Sequence, residues 1–202
     1  MKRVFRYFGG FLDTQENWLN LMAQKGYRLM NTGILTYDFE ECRPGEYAYA
    51  VAFVAQHDYA GKKDYRGFLE SLGYNVFYKN MNLNLSVGKI RWRPYGAGAG
   101  QFSTNPGSYN KELLIVEKKS DGKPFALATT NTDKANYYKP LRNTWLTVAF
   151  VLLAMAVWRY IDKQSISHEI IAFGALGLIS LIPALRYQTR VSSFTRKARI
   201  EE

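Results

Sequence analysis

The chain has 202 residues and a formal charge of +10, from 27 lysines and arginines against 17 aspartates and glutamates. Its single cysteine, Cys42, excludes an intramolecular disulfide and fits a reducing compartment. Residues 1–143 contain 20 basic and 13 acidic residues, while residues 144–185 are mostly apolar. The first block is long enough to bury its own core without disulfides or a metal. The basic N-terminus lacks the apolar run of a signal peptide, so we expect this block to be cytoplasmic.

The first quarter of the chain predicts a strand, a helix and an antiparallel pair of strands. Residues 4–8 have strand character, and Asp13 with Glu16 forms a capping-box pattern that opens a helix. Gly26 ends that helix, because glycine tolerates the left-handed conformation. Strands are predicted at 27–30, 34–40 and 47–54, with a bend at Gly33 and a turn at 43–46.

The pattern continues with a second helix and further strands. Residues 64–72 have apolar residues at helical spacing, and strands are predicted at 75–78, 83–92, 113–117 and 125–128. Residues 94–109 predict a loop, and residues 132–141 a short helix disturbed at its end by Pro140. The predicted core consists of the large apolar residues Trp18, Leu21, Met22, Phe39, Phe53, Phe68 and Leu72.

A weak internal repeat bears on the fold class. Trp18-Leu19 precedes Gly26-Tyr27 in the same way that Phe68-Leu69 precedes Gly73-Tyr74. Each copy is a helix, a glycine, a tyrosine and a strand, as a split βαβ unit requires. We therefore predict an α+β domain over residues 1–140, with a ferredoxin-like antiparallel sheet, extra strands and helices on one face.

Two segments carry a family resemblance. Residues 16–29 (ENWLNLMAQKGYRL) and 37–47 (YDFEECRPGEY) resemble the bacterial domain-of-unknown-function 2812 family. The resemblance spans about the first 80 residues and resumes near 118–127, whereas residues 94–109 depart from it. It implies hydrophobic segments after the domain, and it hints at regulation because members are often encoded beside small PadR-type transcription regulators. It implies placement and class, and it does not bear on catalysis.

Two apolar runs near the C-terminus predict a transmembrane helical hairpin at residues 144–187. Residues 144–161 contain one charge, Arg159, and residues 170–185 contain none. A run of about 17 residues spans roughly 25 Å as a helix, somewhat short for a bilayer core of about 30 Å. The alternative is a buried hairpin of a soluble protein. Aromatic residues at the ends of the runs favour the membrane: Trp145, Trp158, Tyr160 and Tyr187.

The charges around the hairpin predict its orientation. The connecting segment 162–169 is neutral or slightly acidic, while Lys139 and Arg142 precede the first run. Residues 188–202 form a predicted basic cytoplasmic tail. By the positive-inside rule, both termini of this multi-pass protein are expected in the cytoplasm. The basic residues at the membrane interface and in the tail are Arg186, Arg190, Arg196, Lys197 and Arg199.

One segment combines basic and aromatic residues and is a candidate contact surface. Its members are Lys89, Arg91, Trp92, Arg93 and Tyr95. A plain strand would place Arg91 and Arg93 opposite Trp92. A lipid surface and a protein partner remain alternatives, and nucleic acid is the least favoured one. The glycine-rich loop 96–107 lacks the ending of a phosphate loop, which favours a surface loop over a nucleotide site.

The residues suited to catalysis are scattered. His57 and His168 would lie on opposite sides of the membrane, and Glu40 and Glu41 would point to opposite faces of a strand. Arg43 could lower the pKa of Cys42, although no base is placed beside the thiol. We therefore expect no catalytic, metal or cofactor site.

The sequence predicts a non-enzymatic, membrane-anchored interaction or regulatory sensor protein that contacts the bilayer and a protein partner. Two alternatives remain. One is an accessory subunit of a membrane transporter or other membrane complex, and the other is an enzyme acting at the membrane surface.

Overall fold

The computed structural model describes residues 1–55, 59–96, 101–109, 111–127 and 130–201. The chain divides into two compact units, Met1–Ala128 and Thr129–Glu202. The first unit is α+β with antiparallel sheets, and the second is a pair of long helices. The division falls before the predicted boundary at residue 140, because the first long helix already begins at Asn131.

The first unit begins with strand β1 (Lys2–Phe5), helix α1 (Leu12–Gln24), and strands β2 (Tyr27–Thr32) and β3 (Thr36–Glu41). Strand β3 lies between β1 and β2 and is antiparallel to both. Consequently β1 and β2 run parallel, and β3 separates the two strands that α1 connects. This arrangement is a split βαβ unit followed by its central strand.

The same arrangement occurs a second time. Strand β4 pairs with β9, which also pairs with β5, and both pairings are antiparallel. Helix α2 connects β4 to β5, so the order β4-β9-β5 repeats the order β1-β3-β2. The elements are β4 (Tyr47–Phe53), α2 (Tyr59–Ser71), β5 (Asn75–Lys79), β6 (Leu85–Val87), β7 (Ile90–Trp92), β8 (Phe102–Ser103) and β9 (Leu113–Lys119). The internal repeat in the sequence therefore marks two structurally equivalent βαββ units, β1–α1–β2–β3 and β4–α2–β5–β9.

The ferredoxin-like sheet is not confirmed. The first repeat, β1–α1–β2–β3, has the strand order of the first three strands of a ferredoxin-like sheet. However, β4 begins the second repeat and pairs with β9 instead of joining the β1–β3–β2 sheet. Strands β6, β7 and β8 form a third small antiparallel sheet within the link from β5 to β9. The strands of the described residues thus lie in three separate sheets of three.

Several local predictions are corrected. The predicted strand 83–92 is a hairpin, because Gly88 adopts a positive φ of 56° and reverses the chain between β6 and β7. Residues 125–127 form no strand. Helix α1 begins after Phe11 without a side-chain cap. The carboxylate of Glu16 instead accepts a hydrogen bond from the Val51 N–H at 2.9 Å.

The core prediction is correct in part. Trp18, Met22 and Phe39 are buried, and Phe53 is half-buried. The prediction is wrong for Leu21 and Phe68, which are 45% and 57% exposed, and for Leu72, which follows the end of α2 and is 53% exposed. Each helix packs only one side on its sheet, so apolar residues at the edge of the stripe stay in solvent. Helix α1 buries Gln15, Trp18, Leu19, Met22 and Ala23.

A buried carboxylate connects the two βαββ units. Glu117 on β9 accepts hydrogen bonds from the Tyr49 hydroxyl at 2.7 Å, the Asn75 amide at 2.8 Å and the Arg28 guanidinium at 2.9 Å. The Tyr49 hydroxyl in turn accepts the Leu29 N–H at 2.8 Å. Arg28 and Leu29 belong to the first βαββ unit, and Tyr49, Asn75 and Glu117 belong to the second. Side-chain hydrogen bonds therefore join sheets that share no strand pairing.

The second compact unit consists of α3 (Asn131–Lys163) and α4 (His168–Glu201). Thr130 and Asp133 form a capping box at the start of α3, and the helix continues through Pro140. The predicted short helix 132–141 is therefore the first part of α3. Each helix is about 50 Å long, well beyond a bilayer core of about 30 Å. Both helices extend past their apolar runs at the end where the chain enters and leaves the unit.

The two helices pack along their length through different residues. In the extensions, the aromatic residues Tyr137, Tyr138, Tyr187 and Phe194 form a buried cluster, with the rings of Tyr138 and Phe194 stacked at 5.9 Å. In the apolar segment the buried positions are small: Ala149, Ala156, Gly177, Ser180 and Ala184. The predicted tail 188–202 is thus part of helix α4 up to Glu201.

Candidate interaction surfaces

The β6–β7–β8 sheet exposes an apolar face. Leu85 lies opposite Trp92, Val87 opposite Ile90, and Trp92 opposite Phe102. Because alternate residues of a strand share a face, all five side chains project on the same side. Their exposed fractions range from 40% for Trp92 to 75% for Val87. We call these five residues the apolar sheet face.

The opposite face of this sheet is only partly covered by the protein itself, because Ser86 is exposed and Arg91 is half-buried. It carries Ser86, Arg91 and Ser103, which are paired across the strands, and Ser103 is buried. The Arg91 guanidinium lies 4.9 Å from the ring centroid of Tyr109. The Tyr109 hydroxyl donates a hydrogen bond to the Lys89 carbonyl in the β6–β7 turn. These contacts hold the hairpin with its apolar side outward.

The structure separates the five predicted surface residues into two groups. Lys89 is exposed at the hairpin turn, Arg91 is half-buried, and Trp92 belongs to the apolar sheet face. Arg93 and Tyr95 are only 1% and 3% exposed, so their placement on a surface is corrected. The reason is that Arg93 lies 3.3 Å from the fully buried Glu112 and compensates its charge.

Glu112 belongs to a buried polar cluster that sequence reasoning missed. Besides Arg93, it accepts hydrogen bonds from the Met81 N–H at 3.1 Å and the Asn84 amide at 3.4 Å. Burial raises the pKa of Glu112, an effect that the charge of Arg93 opposes. Glu112 and Arg93 are 19 residues apart. A lone glutamate beside a predicted strand gave no sign of this pairing.

The other residues considered for chemistry show no activation. Burial and the nearby Glu46 and Glu40 carboxylates raise the pKa of Cys42, which reverses the lowering predicted from Arg43. Glu40 lies 3.5 Å from Arg28 in an ion pair. His57 and residues 97–100 of the glycine-rich loop lie outside the described residues. Within the described ranges, no group of three or more His, Cys, Asp or Glu side chains could hold a metal ion.

An open groove of about 570 Å³ lies where β2 and β5 approach each other. Its lining includes two arginines, but both already have carboxylate partners. Arg28 contacts Glu117 at 2.9 Å, and Arg66 contacts Glu70 at 2.7 Å. An anion in the groove would therefore meet no arginine that lacks a carboxylate partner.

Helices α3 and α4 are long and apolar enough to cross a membrane. Their most apolar windows have mean hydropathies of 1.6 and 1.8, and only 6% and 22% of these windows are buried within the protein. A core helix of a soluble protein would have this window mostly covered. The large apolar residues that face outward include Phe150, Val157, Trp158, Ile161, Leu178, Ile179 and Leu185.

The two ends of the hairpin differ in charge. At the connecting turn, Glu169 lies 3.3 Å from Arg159 and 3.2 Å from Lys163, so positive charge is offset there. At the other end, the predicted interface residues line the extension of α4. Arg186, Arg196, Lys197 and Arg199 are exposed, and Arg190 is half-buried. The excess positive charge of the hairpin therefore lies on its extensions.

Comparison with known protein families gives one match. Residues 11–150 match the family described as Protein of unknown function (DUF2812). The chain belongs to this family. The match confirms the resemblance in residues 16–29 and 37–47, and it continues into α3, beyond the first compact unit. Comparisons with curated proteins and with solved structures give no significant match.

In this DUF2812 protein, Lys79 provides a second connection between the two βαββ units. Its buried ammonium donates hydrogen bonds to the carbonyls of Gly33 at 2.5 Å and Ile34 at 2.9 Å. Burial lowers the pKa of Lys79 to about 8. The ammonium also lies 4.1 Å from the ring centroid of Tyr37, so carbonyl dipoles and an aromatic face compensate its charge.

The lowered pKa of Lys79 predicts a pH dependence of stability. In the unfolded chain a lysine titrates near pH 10.4. Between pH 8 and that value the unfolded state binds more protons, so the free energy of unfolding should rise with pH by up to about 1.4 kcal/mol per unit. The stability that the neutral Lys79 side chain retains at high pH therefore decreases as the pH falls, and it is lost once the pH passes the folded-state pKa of about 8. Urea unfolding of the wild type and Lys79→Met across this range measures it, and equal slopes for both would contradict the assignment.

Proposed function

We propose that the protein is a non-enzymatic, membrane-anchored interaction protein with a regulatory or sensor role. Helices α3 and α4 anchor it, and the first compact unit binds through the apolar sheet face. The observation that carries this proposal is the exposure of Leu85, Val87, Ile90, Trp92 and Phe102 on one face. Fully burying one such side chain contributes about 1.5–3 kcal/mol, so the face holds substantial unused binding energy.

The state of the titratable groups supports binding over catalysis. Among the residues that the structure describes, two glutamates are buried, Glu112 and Glu117, and both are held by arginines and by further hydrogen bonds. A general base must be free to accept a proton from a substrate. The raised pKa of Cys42 disfavours the thiolate that a nucleophilic cysteine needs.

The charge difference between the ends of the hairpin supports its proposed orientation. Cytoplasmic segments next to transmembrane helices carry an excess of lysine and arginine. The extensions of α3 and α4 carry that excess, and the connecting turn does not. We therefore place both termini and the first compact unit in the cytoplasm.

Cysteine labelling in intact cells tests the orientation. Single cysteines are introduced at the exposed Ser165 in the turn and the exposed Ser192 in α4, in a Cys42→Ser background. An impermeant thiol reagent should modify Ser165→Cys in intact cells, and Ser192→Cys only after the membrane is opened. Labelling of Ser192→Cys alone in intact cells would reverse the topology. Release of the protein by alkaline carbonate would contradict membrane anchoring.

Charge substitutions on the two faces of β6 and β7 test the interaction role. We expect Ile90→Asp, on the apolar sheet face, to abolish co-purification of specific partners in mild detergent, because a carboxylate cannot be buried there unpaired. Ser86→Asp, on the opposite face of the same hairpin, is the matched control. Quantitative mass spectrometry measures recovery. Equal partner recovery with Ile90→Asp and the wild type would contradict the role of this face.

A further inference from the structure

We infer that the apolar sheet face is a docking surface for the anionic lipid bilayer that holds the protein's own helices. This inference rests on the proposed anchoring. It names lipid as the occupant of the face in the isolated protein, with the side chains of Val87 and Trp92 entering the headgroup region, and a protein partner would compete with lipid for the same face.

The charge of the surrounding segment favours an anionic surface. From Asn80 to Lys111 the sequence contains four basic residues, Lys89, Arg91, Arg93 and Lys111, and no acidic one. Arg93 is neutralised by Glu112 inside the protein, and Lys89 is exposed at the tip of the hairpin. Anionic headgroups attract such basic residues near the membrane. An acid-free segment also meets no repulsion from a negative surface.

The composition of the face fits the interface between water and lipid. Trp92 lies between Leu85 and Phe102 in the cross-strand row, and tryptophan is enriched at the level of lipid headgroups. The pattern of a strongly apolar side with basic residues at its margin is that of interfacial membrane-binding elements. Here a small twisted sheet carries the pattern that a helix usually carries.

The length of the chain allows this contact. The apolar run of α3 starts at Thr144, about 20 Å along the helix from its beginning at Asn131. Eleven residues separate the end of β9 at Lys119 from Asn131, and an extended chain of that length spans at most about 40 Å. The connection is therefore long enough for the first compact unit to reach the bilayer, and it tethers that unit close to the membrane. Docking is an intramolecular event at high effective concentration.

Spin-label accessibility in nanodiscs tests the inference on the full chain. Single cysteines replace Val87 on the apolar sheet face, Ser86 on the opposite face and Phe150 in α3, each in the Cys42→Ser background. Nanodiscs contain either phosphatidylcholine alone or phosphatidylcholine with phosphatidylglycerol. Collision rates with oxygen, which concentrates in lipid, and with a water-soluble nickel chelate report the environment of each label.

With phosphatidylglycerol present, we expect the label at Val87 to lose nickel collisions and gain oxygen collisions, while the label at Ser86 stays accessible to nickel. Lys89→Glu or high salt should reverse the change at Val87, because exposed charges are screened over about 8–10 Å. A Val87 label that remains as exposed to nickel as Ser86 overturns the inference. A label shielded from both reagents also overturns it, since that result indicates a protein occupant or a second copy.

The Phe150 label separates failure of the inference from failure of the anchor. Phe150 is outward-facing on α3, so a membrane-spanning helix should place its label in lipid in both kinds of nanodisc. A lipid signal at Phe150 without one at Val87 removes only the docking surface. An aqueous Phe150 label refutes the membrane anchor and, with it, this inference.

Discussion

Replacing Trp18 with alanine should lower the free energy of unfolding of the first compact unit by about 3–5 kcal/mol. The indole is buried between the rings of Tyr37, Phe8 and Phe39, with centroid distances of 4.9, 5.4 and 5.6 Å. It fills the space between α1 and the β1–β3–β2 sheet. Alanine would leave a cavity beside these rings, and the aromatic contacts would be lost in addition.

Hydrogen exchange of the full chain in detergent measures this loss without using tryptophan fluorescence. Peptides from α1 and β3 should lose most of their protection in Trp18→Ala. Leu21→Ala is the matched control, because Leu21 lies in the same helix but is nearly half exposed. We expect it to cost at most about 1 kcal/mol. Similar losses in both variants would contradict a core centred on Trp18.

Replacing Glu117 with alanine should also cost about 3–5 kcal/mol, for an electrostatic reason. The substitution leaves the Tyr49 hydroxyl, the Asn75 amide and the Arg28 guanidinium without their common acceptor. The fully buried Tyr49 hydroxyl would bear the full cost of desolvation, while Arg28 and Asn75 are partly open to solvent. Since Glu117 joins the two βαββ units, we expect strands β2 and β5 to lose protection together.

Glu40→Ala is the control for the Glu117 variant. Glu40 contacts the same arginine at 3.5 Å, but its side chain is 43% exposed. Exposed ion pairs contribute at most about 1 kcal/mol, so this variant should keep nearly wild-type protection. Equal effects of the two substitutions, or loss of protection in β5 alone, would contradict the role of Glu117 in joining the units.

Sequence periodicity predicted most helices and strands correctly. It did not predict correctly which apolar residues of each helix are buried against the sheet. Trp18, Leu21 and Met22 all belong to one apolar stripe of α1, yet only Trp18 and Met22 face the sheet. A helix stripe read from sequence is broader than the area that a three-stranded sheet covers. The same reason explains why Phe68 of α2 is exposed, while Leu72 lies just past the end of that helix.

The hairpin of β6 and β7 shows a related limit. One long strand would place Leu85 and Val87 on the face opposite to Ile90 and Trp92, whereas a two-residue turn shifts the alternation by one residue and places all four on one face. Gly88 was the local signal that decides between them, since its positive φ permits the turn. With the turn in place, Leu85 and Trp92 meet across the strands instead of lying far apart along one strand.

The sequence by itself determined the family, the division into an α+β part and two long apolar helices, and the repeated unit. These properties depend on local composition, on spacing within about 30 residues and on motifs that are continuous in the chain. The tertiary structure alone decided which charged residues are buried and which apolar residues are not. Glu117 is buried because Arg28 and Tyr49, distant in sequence, converge on it. Trp92 stays exposed because no element packs against the outer side of its sheet within the first compact unit as described.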